Sequence, residues 1–109
     1  MSEPLCVVYI TVGSEAEAAK LAHHLVSERL AACVNRLGPI QSTYLWQGDV
    51  HNDSEYLLMI KTRTCLVDQL AERVKTLHSY DLPEVIALPI QGGLEGYLDW
   101  VRSETQVTN

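Results

Sequence analysis

Leu77-His78-Ser79-Tyr80-Asp81-Leu82-Pro83-Glu84-Val85-Ile86-Ala87-Leu88-Pro89-Ile90 is the stretch where one periodicity gives way to another. Upstream, Val67, Leu70, Val74 and Leu77 recur at helical spacing, which predicts a helix from about Cys65 with Thr64 as its cap. Downstream, Val85 to Gln91 is an apolar run of β type. Pro83 locks its own φ and pushes Leu82 out of the helical region. The reading is a helix ending near His78, a short loop carrying His78, Tyr80, Asp81 and Glu84, and a strand from about Val85. Polar groups gathered on a rigid connection are the usual place for a site. The plainer alternative is a helix-to-strand turn in which His78 interacts with a helix C-terminus, Tyr80 packs and Glu84 is solvated.

Outward from that stretch, the other elements follow by the same arguments. Leu5 to Val12 is β-branched and almost wholly apolar, as a central strand is. Gly13 ends it. Ser14 and Glu17 have capping-box spacing, with Ser14 accepting from the amide three residues on and Glu17 reaching back. The helix so started is predicted over Glu15 to about Leu30, with Ala18, Leu21, Ala22 and Leu25 on one face. Adjacent His23 and His24 point about 100° apart on a helix and make no metal pair.

Ala31 to Leu37 and Ile40 to Gln47 read as one strand bent at Gly38-Pro39. Polar Gly48 to Asp53 is the expected hairpin turn, and Glu55 to Thr62 the third strand. That strand is apolar on both faces: Tyr56, Leu58 and Ile60 on one, Leu57 and Met59 on the other. After the fourth strand, Gly92-Gly93 leads into a short helix over about Leu94 to Arg102, with Tyr97 and Trp100 one turn apart. A polar tail, Ser103 to Asn109, is expected to fray. The order β-α-β-β-α-β plus a terminal helix is that of an α+β, ferredoxin-like domain occupying residues 1–109. Its long hairpin shows more apolar surface than two helices can cover, so pairing with another copy of the chain is predicted.

Composition bounds the function. The chain has 109 residues and a formal net charge of -6, which argues against nucleic-acid partners and anionic membranes. No apolar run approaches the ~20 residues that span a bilayer. Met1 to Pro4 carries no base, so it does not read as a signal peptide. Cys6, Cys33 and Cys65 are odd in number and lack CxxC spacing. A disulfide framework or structural zinc is therefore not expected, and a reducing, cytoplasmic setting fits.

Several ordered motifs together resemble one family, the CutA divalent-cation tolerance proteins. They are Glu28-Arg29-Leu30-Ala31-Ala32-Cys33-Val34-Asn35, Tyr44-Leu45-Trp46-Gln47-Gly48, Glu55 with Lys61-Thr62, His78-Ser79-Tyr80-Asp81-Leu82-Pro83-Glu84, and Gly93 with Tyr97-Leu98-Asp99-Trp100. The resemblance implies a homotrimer that looks like PII signalling proteins, with hairpins paired between subunits. It implies a part in copper and divalent-cation tolerance and no catalysed reaction. It also implies a copper site built from a cysteine, a histidine and a glutamate. Here Ile10 stands at the cysteine position, Leu77 at the histidine position, beside His78, and Glu84 matches.

Two candidate sites follow. His78 and Glu84 are the local metal pair, suited to Cu(II) or another divalent cation. The second is an inter-subunit cleft, by resemblance to PII-like proteins, combining Tyr44, Trp46, Glu55 and Lys61 of the hairpin with Tyr80 and Glu84 of the loop. Lys61 is expected to pair with Glu55 or Glu84. Two other classes make different demands on these residues. An enzyme would use His78 as general base oriented by Glu84. A module of the same element order that binds RNA would need basic and aromatic residues on strands that read LCVVYITV and EYLLMIKT, whereas the pattern alone does not decide against one that binds an amino acid, which a thermal-shift ligand screen would separate.

Overall fold

A computed structural model describes residues 3–107 of the chain. Strand β1 is Leu5–Val12 and helix α1 is Glu15–Ser27; β2 is Cys33–Trp46 and β3 is Asp49–Arg63. A 3-10 turn over Thr64–Leu66 leads into α2, Val67–Leu77, and then come β4, Ile86–Pro89, and α3, Glu95–Glu104. The strands form one sheet in the order β2-β3-β1-β4, with every neighbouring pair antiparallel. The architecture is α+β.

Alternation along β1 explains which face carries the core. Cys6, Val8, Ile10 and Val12 are at most 1% exposed and pack with Leu21 and Leu25 of α1, Leu58 and Ile60 of β3, and Leu70 and Val74 of α2. Each such aliphatic side chain contributes about 1.5–3 kcal/mol by leaving water. Among the described residues the opposite face has no helical layer over its centre. Val7 and Tyr9 lie there across from Lys61 and Met59 on one side and Leu88 and Ile86 on the other. Ile86 and Leu88 are about half exposed, at 52% and 45%. A second cluster, Leu5, Ala32 and Val101 with Ile90 and Leu98, docks α3 at one end of the sheet.

Four boundaries differ from the sequence expectation. The hairpin turn is not Gly48–Asp53 but the two residues Gln47 and Gly48, because Trp46 pairs with Asp49. Both turn residues have positive φ, 52° and 88°, as a tight turn compatible with strand twist requires, and Gly48 adopts it without penalty. Residues 49–54, polar except for Val50, stand in an exposed two-stranded arm and do not turn. This arm pairs Ile40–Trp46 with Asp49–Glu55 beyond the end of β1, and it gives the molecule its 47 Å length against 25 and 22 Å across.

Helix α1 stops at Ser27 instead of reaching Leu30. Arg29 takes a left-handed φ of 60°, and the amides of Leu30 and Ala31 both donate to the Leu25 carbonyl. Helix α2 has no side-chain cap, so Thr64 does not play that role. The tail is not frayed where described. Thr105 is buried, and the Gln106 amide donates to the Arg29 carbonyl at 2.8 Å while its side chain donates to the Glu28 carbonyl at 2.7 Å. These bonds hold the strained turn after α1. Residues 1–2 and 108–109, which complete the N-terminal and tail readings, lie outside the described residues.

Candidate functional site

The loop after α2 is held by three elements. Ser14 caps α1 as expected, accepting from the Glu17 amide at 3.1 Å. The return half of the capping box does not form. Glu17 instead accepts from the Ser79 amide at 2.9 Å and the Ser79 hydroxyl at 3.0 Å. The first turn of α1, rich in amide donors and favourable to an acidic side chain, thus anchors the loop.

His78 comes next, and its side chain is fully buried. Its Nδ1 accepts from the Tyr80 amide at 3.0 Å. An amide N–H can only donate, so Nδ1 carries no proton in this arrangement and Nε2 does. Nε2–H donates to the Thr11 carbonyl at 2.8 Å. The 3.5 Å approach of Glu17 to Nδ1 is therefore not an ion pair; each of those two atoms is held by another donor. With both ring nitrogens taken, His78 has no lone pair free for a metal. In this arrangement both ring nitrogens of His78 are engaged by backbone, while Glu84 lines the neighbouring cleft. Among the described residues no group of three or more His, Cys, Asp or Glu side chains is placed to share an ion.

The imidazole instead positions Tyr80. Their rings lie 4.6 Å apart, and the Tyr80 hydroxyl donates to Glu55 Oε2 at 2.8 Å. Burial and the neighbouring Glu55 carboxylate push the Tyr80 phenol well above its ordinary pKa. Glu55 is only 7% exposed, at the root of the hairpin arm where β3 leaves β1. Burial, and then the Glu55 charge, push the Glu84 carboxyl up as well.

These residues wall one cleft of about 640 Å³, within the usual range for small-molecule sites. Ser42, Tyr44 and Trp46 of the arm form one side, Glu55 and Thr11 the floor, and Tyr80, Asp81, Leu82 and Glu84 the other side. Five of the six residues expected in a ligand cleft, Tyr44, Trp46, Glu55, Tyr80 and Glu84, meet here within a single chain. Tyr44 is oriented by donating its hydroxyl to Asp53 and by stacking on His51 at 5.4 Å. Its pKa is raised, chiefly by that bond to Asp53.

Lys61 is the exception. It shares the open sheet face with Glu55 but lies six residues further along β3, about 20 Å away. It donates to Asn35 on β2 and pairs within this chain with neither Glu55 nor Glu84. Trp46 and Trp100 are 43% and 42% exposed. Sequence reasoning assigned neither Glu17 nor Thr11 a part in the site. Glu17 was legible only as half of a cap, and Thr11 contributes a backbone carbonyl, which no side-chain pattern reveals.

The profile of the family described as "CutA1 divalent ion tolerance protein" matches residues 6–104. The chain is 54% identical over 99 residues to the divalent-cation tolerance protein CutA of Thermus thermophilus, covering 91% of this chain and 96% of that protein. It is 52% identical over 103 residues to a chloroplastic CutA 1 protein of Oryza sativa, covering 94% of this chain. It spans just 58% of that rice protein's length. The crystal structure of CutA1 from Oryza sativa superposes with a TM-score of 0.96 at 50% identity, covering 98% of each chain. No described helix is long and apolar enough to cross a membrane.

Proposed function

The chain belongs to the CutA1 divalent ion tolerance protein family, and from that premise we propose that it serves divalent-cation tolerance as a non-catalytic homotrimer. In this reading a ferredoxin-like subunit packs its open sheet face and hairpin arm against two copies of itself, and the cleft beside the arm binds a regulatory ligand. The observation that supports assembly is the unpaired arm. Leu45 and Val50 on it are 71% and 69% exposed, and both its strand edges beyond β1 are free among the described residues. Such edges are normally covered by another chain or blunted by charge. The open face, with Ile86 and Leu88 half exposed, supports the same conclusion.

A second reading is a PII-like small-molecule sensor that acts on metal tolerance without binding metal. The closed hydrogen bonding of His78 favours it over direct copper ligation through that residue. Cu(II) or another divalent cation would then rely on oxygen ligands in the cleft, the carboxylates of Glu55, Asp81 and Glu84 first among them. No disulfide joins Cys6, Cys33 or Cys65 among the described residues, which suits the reducing cytoplasm we propose as its compartment.

Light scattering on the purified chain, run with a Cu(II) titration of wild type and Glu84→Gln, tests both points. The expected mass is three times the 12.2 kDa of one chain. A folded monomer at micromolar concentration overturns the assembly. Saturable Cu(II) at a fixed ratio per trimer, lost in Glu84→Gln, establishes direct metal binding. Binding that the variant leaves unchanged leaves the sensor reading in place.

A further inference from the structure

The charge and hydrogen-bonding pattern of the cleft go further than its location. We infer that it takes a small organic cation bearing a primary ammonium or guanidinium group, seated between the Glu55 and Glu84 carboxylates and the rings of Tyr44 and Trp46. This deepens the ligand-cleft reading above and rests on it.

Three of the ten lining residues are carboxylates, Glu55, Asp81 and Glu84, and none is Lys, Arg or His. An anionic or phosphate-bearing ligand would meet repulsion and no cationic donor. Glu55 is the key group. Carboxylates as buried as this one, at 7% exposed, are normally paired with a cation. Its single hydrogen bond comes from the neutral Tyr80 hydroxyl, to Oε2. Among the described residues no sealed side-chain oxygen lacks a partner, so Oε1, which accepts from no protein donor, is not sealed and opens on the cleft. The base on its own strand, Lys61, is engaged with Asn35. Among the described residues of one chain, the cleft therefore holds a desolvated negative charge with an open acceptor and no cation beside it.

The class of cation follows from that open acceptor. An N–H donor satisfies Oε1; a quaternary ammonium has none to give. Tyr44 and Trp46 add aromatic surface to the lining, which suits a cation and the carbon stem behind it. A bare divalent ion is a poorer match. The cavity of about 640 Å³ far exceeds an ion, and no three ligating side chains among the described residues converge on a point.

The test uses 1,4-diaminobutane titrated into the full chain carrying Trp100→Phe. Trp46 is then the one remaining indole of the two in the sequence, and its fluorescence reports on the cleft. The expected result is a saturable emission shift, with affinity weakened at least about tenfold in Glu55→Gln. Glu84→Gln, at an exposed position, gives a second weakened variant should Glu55→Gln fold poorly. 1,4-Butanediol and tetramethylammonium should bind much more weakly, since one lacks the charge and the other the donor. The inference is overturned by no saturable shift up to about 10 mM amine, by equal binding of the diol, or by undiminished affinity in both variants. Absence of amine binding in a protein whose Glu55 is paired with Lys61 of a second copy would overturn it equally. A trimer that takes up Cu(II) but ignores the amine refutes this inference and keeps the family reading; a monomer that binds the amine does the reverse.

Discussion

His78 separates a structural reading of the loop from a metal reading, and its replacement by Ala gives opposite results under the two. The imidazole is fully buried and bridges the Thr11 carbonyl to the Tyr80 amide at 2.8 and 3.0 Å. His78→Ala leaves both backbone groups without that partner. Each orphan costs about 1–3 kcal/mol, and water entering the vacated space offsets part of this, so a net loss of about 3 kcal/mol is expected. For a domain of this size each kcal/mol moves Tm by roughly 4 °C, so the drop should be on the order of 12 °C. The assay is thermal unfolding by circular dichroism with chelator present and all variants at one protein concentration, since ligand and assembly both shift apparent stability. Glu84→Gln at the same pH serves as the loop control, and a change within about 2 °C is expected for that exposed side chain. If His78→Ala melts with wild type in chelator yet loses a Cu(II)-induced rise in Tm, the imidazole is a ligand and the bridging argument is wrong.

Further outcomes test other parts of the structure. Thr62 is fully buried and its hydroxyl donates to the Leu30 carbonyl at 2.7 Å, so Thr62→Val should cost about 1–2 kcal/mol in denaturant unfolding. Equal midpoints would show that this bond adds nothing net. Gly38 has φ of 149°, and a Cβ there would lie 2.6 Å from the Tyr56 ring, so Gly38→Ala should destabilise by about 2–3 kcal/mol; an unchanged midpoint would contradict the bend. Glu84 has its folded pKa raised by burial and then by Glu55, so the folded state keeps this proton to higher pH than the unfolded chain. Stability at this site falls as pH rises through that window. Glu84→Gln should match wild type below the window and exceed it above, by less than about 1 kcal/mol because solvent screens an exposed group. A variant less stable than wild type at neutral pH would reverse that sign.

The elements read well from sequence where one face is buried. β1 was expected over Leu5 to Val12 and is found there, because its alternate residues are sealed by helices and the others lie in a crowded sheet face. The stripe Val67, Leu70, Val74 and Leu77 faces the core as its spacing required. Reading failed where local signals had competing uses. Polar residues 49–54 look like a turn but form a solvent-exposed arm, since exposure and turning select the same residue types. Arg29 ends α1 in a left-handed conformation with no Gly to announce it, and the contacts that stabilise it come from residues more than seventy positions away.

The candidate site divides in the same way. The sequence alone determined that an imidazole, a phenol and carboxylates would crowd one short loop, that Pro83 would stiffen it, and that the hairpin would carry aromatic residues and an acid beside an unpaired edge. Those properties follow from residue identity, periodicity and backbone restriction, which act over a few neighbours. Only the tertiary structure decided what each group does. It turned Glu17 from its own helix to Ser79, spent both nitrogens of His78 on backbone, gave Glu55 a neutral partner, and left Lys61 at the far end of the strand. Hydrogen bonds are short-ranged and directional, so which donor meets which acceptor is fixed by how the elements pack, and spacing along the chain does not encode it.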